Sequence, residues 1–152
     1  MRQIVIVCNQ SNRRELENIL QGNEEVQIVD FVYDGLEALR ICSKREIDLI
    51  LMVLTDDFEP ITWIRVISTK FPNVKILIMI EAIMNNVLFS ALRNGASGYM
   101  LFTNDCDKII SAIKLCLMGF FTTEQGCMKS LMPLMNAGDN ERNRNDGQDK
   151  VD

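Results

Sequence analysis

The sequence predicts an α/β fold: a doubly wound, five-stranded parallel sheet with helices on both faces, in (βα)5 order. Five short apolar runs rich in β-branched residues fall at residues 4–8, 26–32, 48–54, 75–80 and 98–101. Such near-continuous apolar runs belong to strands buried on both faces. Between the runs, apolar residues recur at helical spacing, and this strand–helix alternation marks a parallel sheet. The chain has 152 residues and 47% hydrophobic content, enough for one buried core and too little to expect two.

The first strand reads Ile4-Val5-Ile6-Val7-Cys8. The helix expected over residues 12–21 carries Leu16, Ile19 and Leu20 at helical spacing, and Asn12 with Glu15 has the form of a capping box. After the second strand, Asp34-Gly35-Leu36-Glu37 offers another box, with Ala38, Leu39 and Cys42 following on one face. The third strand, residues 48–54, is followed by Pro60, which suits the first turn of a helix. Ile61, Ile64 and Ile67 give that helix an apolar stripe that stops before Phe71-Pro72-Asn73.

The fourth strand leads to a helix expected over residues 83–93, closed by Asn94-Gly95, where glycine takes the left-handed C-cap conformation. After the fifth strand, a helix starts near Asp105 and turns Ile109, Ile110, Ile113 and Leu117 inward. Past Gly119 the character changes. Residues 122–135 suit one short helix broken by Gly126 and Pro133, and residues 138–152 form a polar, mixed-charge stretch expected to be disordered. The expected organisation is a folded domain over 1–121, a linker or short helix over 122–137 and a tail over 138–152.

Composition excludes several function classes. The formal net charge of -5 and the lack of any Lys or Arg run argue against nucleic-acid binding by this chain. The absence of histidine removes imidazole as base, metal ligand or phosphoryl carrier. Cys8, Cys42, Cys106, Cys116 and Cys127 are odd in number and widely spaced, which suggests neither a disulfide framework nor a CxxC metal site and fits a reducing cytoplasm. No apolar run approaches the roughly 18 residues of a membrane span, so the expectation is a soluble, cytoplasmic chain with no cofactor and no membrane contact. Gly95-Ala96-Ser97-Gly98 precedes a strand and lacks the spacing of a nucleotide-binding loop.

Three motifs carry a resemblance. They are Leu92-Arg93-Asn94-Gly95-Ala96-Ser97-Gly98-Tyr99, Asp34-Gly35-Leu36-Glu37-Ala38-Leu39 and Asp48-Leu49-Ile50-Leu51-Met52. Through them residues 1–121 resemble the receiver domain of response regulators, a CheY-like, flavodoxin-type fold, and most of all the receivers of the NarL/FixJ branch. The resemblance implies an acidic pair after the first strand that holds Mg²⁺, where this chain has Cys8 and Asn9. It implies a phosphate-accepting aspartate on the third strand, where Val53 stands, and a Ser or Thr closing the fourth strand, where Ile80 stands. The lysine implied after the fifth strand is Phe102.

A phosphoryl site needs oxygen ligands for a hard cation, a hydroxyl and a fixed positive charge. All five positions depart from that pattern. Val53, Ile80 and Phe102 are expected to pack together and fill the site, each contributing roughly 1.5–3 kcal/mol when buried. The implied reading is a degenerate pseudo-receiver without enzymatic activity. It would act by protein contacts in transcription regulation or two-component-type signalling, as a homodimer or on another regulator.

Tyr99 matches the family's switch aromatic, which moves inward when the Ser or Thr engages phosphate. The family's contact surfaces imply Val87, Leu88, Tyr99, Lys108 and Lys114 as surface contributors. The branch continues into a helix-turn-helix after a linker resembling residues 122–135, a unit this sequence does not reach, so an alternative expectation is the receiver half of a DNA-binding regulator. Three weaker readings accompany this one. Cys8, Asn9 and Phe102 could frame a ligand or redox sensor. Asp56, Asp57 and Glu59 could bind a divalent cation, against the more ordinary reading of a solvated acidic loop. Met128, Met132 and Met135 could mark an adaptable interface.

Overall fold

In a computed structural model, residues 1–54, 60–82 and 85–120 are described. Their elements run β1 (Arg2–Val7), α1 (Gln10–Ile19), β2 (Val26–Val32), α2 (Gly35–Lys44), β3 (Leu49–Leu54), α3 (Pro60–Lys70), β4 (Lys75–Ile80), α4 (Asn85–Arg93), β5 (Gly98–Leu101) and α5 (Cys106–Leu117). The five strands form one parallel sheet in the order β2-β1-β3-β4-β5. The winding direction reverses between β1 and β3, the crevice at which open α/β sheets bind ligands. The expected linker and tail, Asp56, Asp57, Glu59, and Met128, Met132 and Met135 lie outside the described residues.

Alternation along each strand sorts the core onto two faces. Ile4 and Ile6, Leu49, Leu51 and Val53, and Leu77 and Met79 face α1 and α5, where Leu16, Ile109, Ile110 and Ile113 meet them. Val5 and Val7, Ile50, Met52 and Leu54, and Ile76, Ile78 and Ile80 face α2, α3 and α4, against Ala38, Cys42, Ile64, Ile67, Leu88 and Ala91. All six residues of β3 are buried, because it lies between β1 and β4 and is covered on both sides.

Local signals fix the helix ends. Asp34 caps α2 by accepting from the Glu37 N–H at 2.9 Å, while Glu37 Oε1 accepts from the Tyr33 N–H at 3.2 Å. Asp105 caps α5 through the N–H groups of Asp107 and Lys108. Gly95, at φ 122°, ends α4, and the Ala96 N–H returns to the Ala91 carbonyl at 3.0 Å. Gly119, at φ 92°, does the same for α5, with the Phe120 N–H on the Leu115 carbonyl at 3.0 Å.

Several boundaries differ from expectation: β1 runs Arg2–Val7 instead of 4–8, and α1 runs Gln10–Ile19 instead of 12–21. The first helix starts at Gln10 and is capped by Asn9, whose Oδ1 accepts from the Asn12 N–H at 2.8 Å, so Asn12 and Glu15 do not form its cap. Asp48 precedes β3 instead of opening it. Its carboxylate accepts from the Gln3 N–H at 2.7 Å and its carbonyl from the Lys75 N–H at 3.1 Å, which ties the starts of β1 and β4 together.

Gly35, the first residue of α2, lies against Trp63 of α3 so closely that an added Cβ would collide with the indole. Gly35→Ala is therefore expected to destabilise the fold by about 1–3 kcal/mol. Urea unfolding measures this, and combining the change with Trp63→Leu should recover part of the loss.

Candidate functional site

The carboxyl ends of β1, β3, β4 and β5 bring together the positions that the resemblance singles out. Cys8 directly follows β1 and is held there by its N–H on the Val32 carbonyl at 3.0 Å. Val53 is the penultimate residue of β3, and Ile80 closes β4. Phe102 extends the β4–β5 pairing one step past β5, its N–H donating to the Ile80 carbonyl at 2.6 Å. Cys8, Val53 and Ile80 are 3%, 1% and 4% exposed, so their side chains are enclosed. Phe102 is half-buried.

These residues do not make the single plug expected of them. Cys8, Val53 and the partly buried Phe102 pack on the α1/α5 side, whereas Ile80 packs on the opposite side with Tyr99, Leu88 and Ala91. The register explains the split: Val53 pairs with Met79, and Ile80 pairs with Leu54, so Ile80 shares the face of Leu54. Cys8, Val53, Ile80 and Phe102 are thus divided between two separate cores.

Asn9 is exposed, and its side-chain oxygen is engaged in capping α1. The cap was readable in the Asn9-to-Asn12 spacing, which matches an N-cap side chain reaching the third helical residue. Asn12, which sequence reasoning assigned to the cap, is 5% exposed, and its Oδ1 is buried without a hydrogen-bond partner. An orphaned acceptor of this kind costs about 1–3 kcal/mol.

The expected surface contributors also need correction. Leu88 is fully buried and Tyr99 is 1% exposed. Leu88 and Ala91 form the inward stripe of α4, and Tyr99 points into the same core. Val87 is half-buried, and of the five only Lys108 and Lys114 are exposed. Lys114 is paired with Glu25.

The donor set does not fit a Mg²⁺-assisted phosphoryl site. The five positions supply one thiol, one amide used as a helix cap and three apolar side chains, with no carboxylate, hydroxyl or ammonium. Among the described residues no group of three His, Cys, Asp or Glu side chains is placed to hold a metal. Burial pushes the Cys8 thiol from its ordinary 9.0 up to about 11, the charge of Arg13 acting weakly the other way. Cys42 is raised to about 11 by burial alone. A protonated, buried thiol is a poor nucleophile.

Comparison with solved structures identifies the architecture. A LuxR-family two-component response regulator from Aurantimonas sp. SI85-9A1 matches with TM-score 0.72 at 22% identity, over 84% of this chain and 92% of that one. The isolated REC domain of RcsB from Salmonella enterica serovar Typhimurium, in the presence of the phosphomimetic BeF3-, matches with TM-score 0.69 at 20% identity, over 86% and 98%. The fold is the CheY-like receiver fold.

Sequence relatives of this chain are response regulators. The oxygen regulatory protein NreC of Staphylococcus carnosus is 30% identical over 134 residues, which cover 86% of this chain and 58% of that protein. The transcriptional regulatory protein LnrK of Bacillus subtilis is 30% identical over 115 residues, 74% of this chain and 52% of that protein. The receiver thus spans about half the length of the curated relatives it matches. No family model matches it. Among the described residues no helix is long and apolar enough to cross a membrane.

Two measurements test this description. Cys8 and Cys42 stay protonated in the folded state to about pH 11, while the unfolded chain ionises them near 9.0. The unfolded state then binds fewer protons, so their contribution is fully present below about pH 9 and is lost as pH rises towards 11. Urea unfolding across that range should show stability falling, with a shallower fall in Cys8→Ala. Separately, Val53→Asp should destabilise by at least about 3 kcal/mol, because a carboxylate there meets no cation. Val53→Ala, which removes only packing, should lose less.

Proposed function

We propose that this receiver is a phosphorylation-independent signalling module that acts through protein contacts, in transcription regulation or two-component-type signalling. The observation that carries the reading is the chemistry of the strand ends. Cys8, Asn9, Val53, Ile80 and Phe102 offer no aspartate to accept a phosphoryl group, no carboxylate for its metal and no charge to stabilise it. The partner is a protein, either a second copy or another regulator, met in the cytoplasm. With a net charge of -5 this chain is not proposed to contact nucleic acid itself.

Tyr99 supports the same reading. It is packed inward in the core that contains Ile80, a residue with no hydroxyl to couple its position to a phosphate. The redox-sensor reading has less support, since the Cys8 thiol is buried and its proton is held more tightly than usual.

Titration of the full chain with beryllofluoride and Mg²⁺, read by the fluorescence of Trp63, tests the proposal, Trp63 being the sole tryptophan. The expected outcome is no saturable change. A saturable, Mg²⁺-dependent change would overturn phosphorylation independence.

A further inference from the structure

Charge is unevenly distributed along this chain. Although the net charge is -5, Glu81 is the sole acid between residues 60 and 104, a span that also holds Arg65, Lys70, Lys75 and Arg93. Helices α3 and α4 contain no Asp or Glu at all, whereas α1, α2 and α5 each carry at least one. The fold sets α3 and α4 side by side on one face of the sheet. Among the described residues none of these four cations forms an ion pair.

Between the two helices runs a groove of about 610 Å³ lined by Arg65 of α3 and by Asn86, Phe89, Ser90, Arg93 and Asn94. Its parts are held in place. The Arg93 guanidinium lies over the Phe89 ring, 5.2 Å from the centroid, a geometry that orients its N–H fork. Asn94 donates to the Ser90 carbonyl at 2.8 Å, and the Ser68 hydroxyl donates to the Asn94 carbonyl at 3.1 Å, which joins the two helices beneath the groove. Arg65 and Arg93 are both exposed, each on its own wall.

We infer that the α3–α4 groove is a docking site for an acidic, carboxylate-rich peptide segment of a protein partner. The inference rests on the reading that this receiver works by protein contacts, and it places one contact away from Lys108 and Lys114 of α5. Two exposed guanidinium groups that form no ion pair among the described residues match carboxylates, which arginine binds through paired N–H donors. The groove is partly open to solvent, whereas sites for small molecules enclose most of their ligand. An extended segment that lays side chains against both walls fits it better. Cations this few, on a chain of net negative charge, are a poor match to a nucleic-acid backbone.

The test uses the full chain and fluorescein-labelled hexaglutamate, followed by fluorescence anisotropy at low salt. Saturable binding that weakens with added salt is expected, together with no binding of hexaglutamine. Arg65→Ala and Arg93→Ala should each weaken binding by about fivefold or more, and Arg40→Ala, which removes the same charge from α2, should change it less than about twofold. Arg65→Gln provides a second variant, and thermal unfolding verifies that each variant is folded. Absence of hexaglutamate binding, or equal loss in Arg40→Ala, overturns the assignment. So does displacement by inorganic phosphate at the same concentration as peptide, or tighter binding of an oligothymidylate. Beryllofluoride reads the strand ends and the peptide reads the α3–α4 face, so failure of either proposal is separable from failure of the other.

Discussion

The structure depends on a central strand that is buried on both sides. Each residue of β3 from Leu49 to Leu54 is enclosed, with Ile4-to-Val7 neighbours on one flank and Lys75-to-Ile80 neighbours on the other. In such a strand any polar side chain must be met by a partner of matched chemistry, since an unpartnered one costs more than the packing it replaces. A receiver that phosphorylates meets this demand with a metal, a hydroxyl and an ammonium group. Here valine continues the apolar run, and the hydrophobic core advances to the end of the sheet.

The elements were legible because every strand is an uninterrupted apolar run; β2, β4 and β5 occur at the expected residues, and the Asp34 and Asp105 caps are plain in the sequence. The cap of α1 was misplaced because two asparagines stand three residues apart, and only the extended backbone of Asn9 decides between them. The identities of the site residues could also be read. Their division between two faces could not, because it depends on which residue of β3 faces which residue of β4. Leu88 and Tyr99 were misassigned to the surface because the rotational phase of a short helix and the inward side of a four-residue strand are set by tertiary packing.

The α3–α4 groove shows the same boundary between pattern and geometry. The absence of acids from both helices is a property of the sequence, but it gains meaning only when the sheet order sets the helices beside each other and Ser68 bonds across to Asn94. Fold and chemistry separate cleanly in this chain. The scaffold matches receivers of solved structure at TM-scores near 0.7, while the residues at the strand ends share none of the side-chain chemistry that the receiver resemblance implies.

The seating of Tyr99 in the same core as Ile80 has a consequence for how information could pass through such a protein. In a phosphorylation-independent module, the strand ends carry no covalent mark for a kinase to write or a phosphatase to erase. Under the proposed reading, the message lies in the number of molecules present and in what they are bound to. Synthesis, turnover and competition for partners then set the output, on the timescale of protein lifetime.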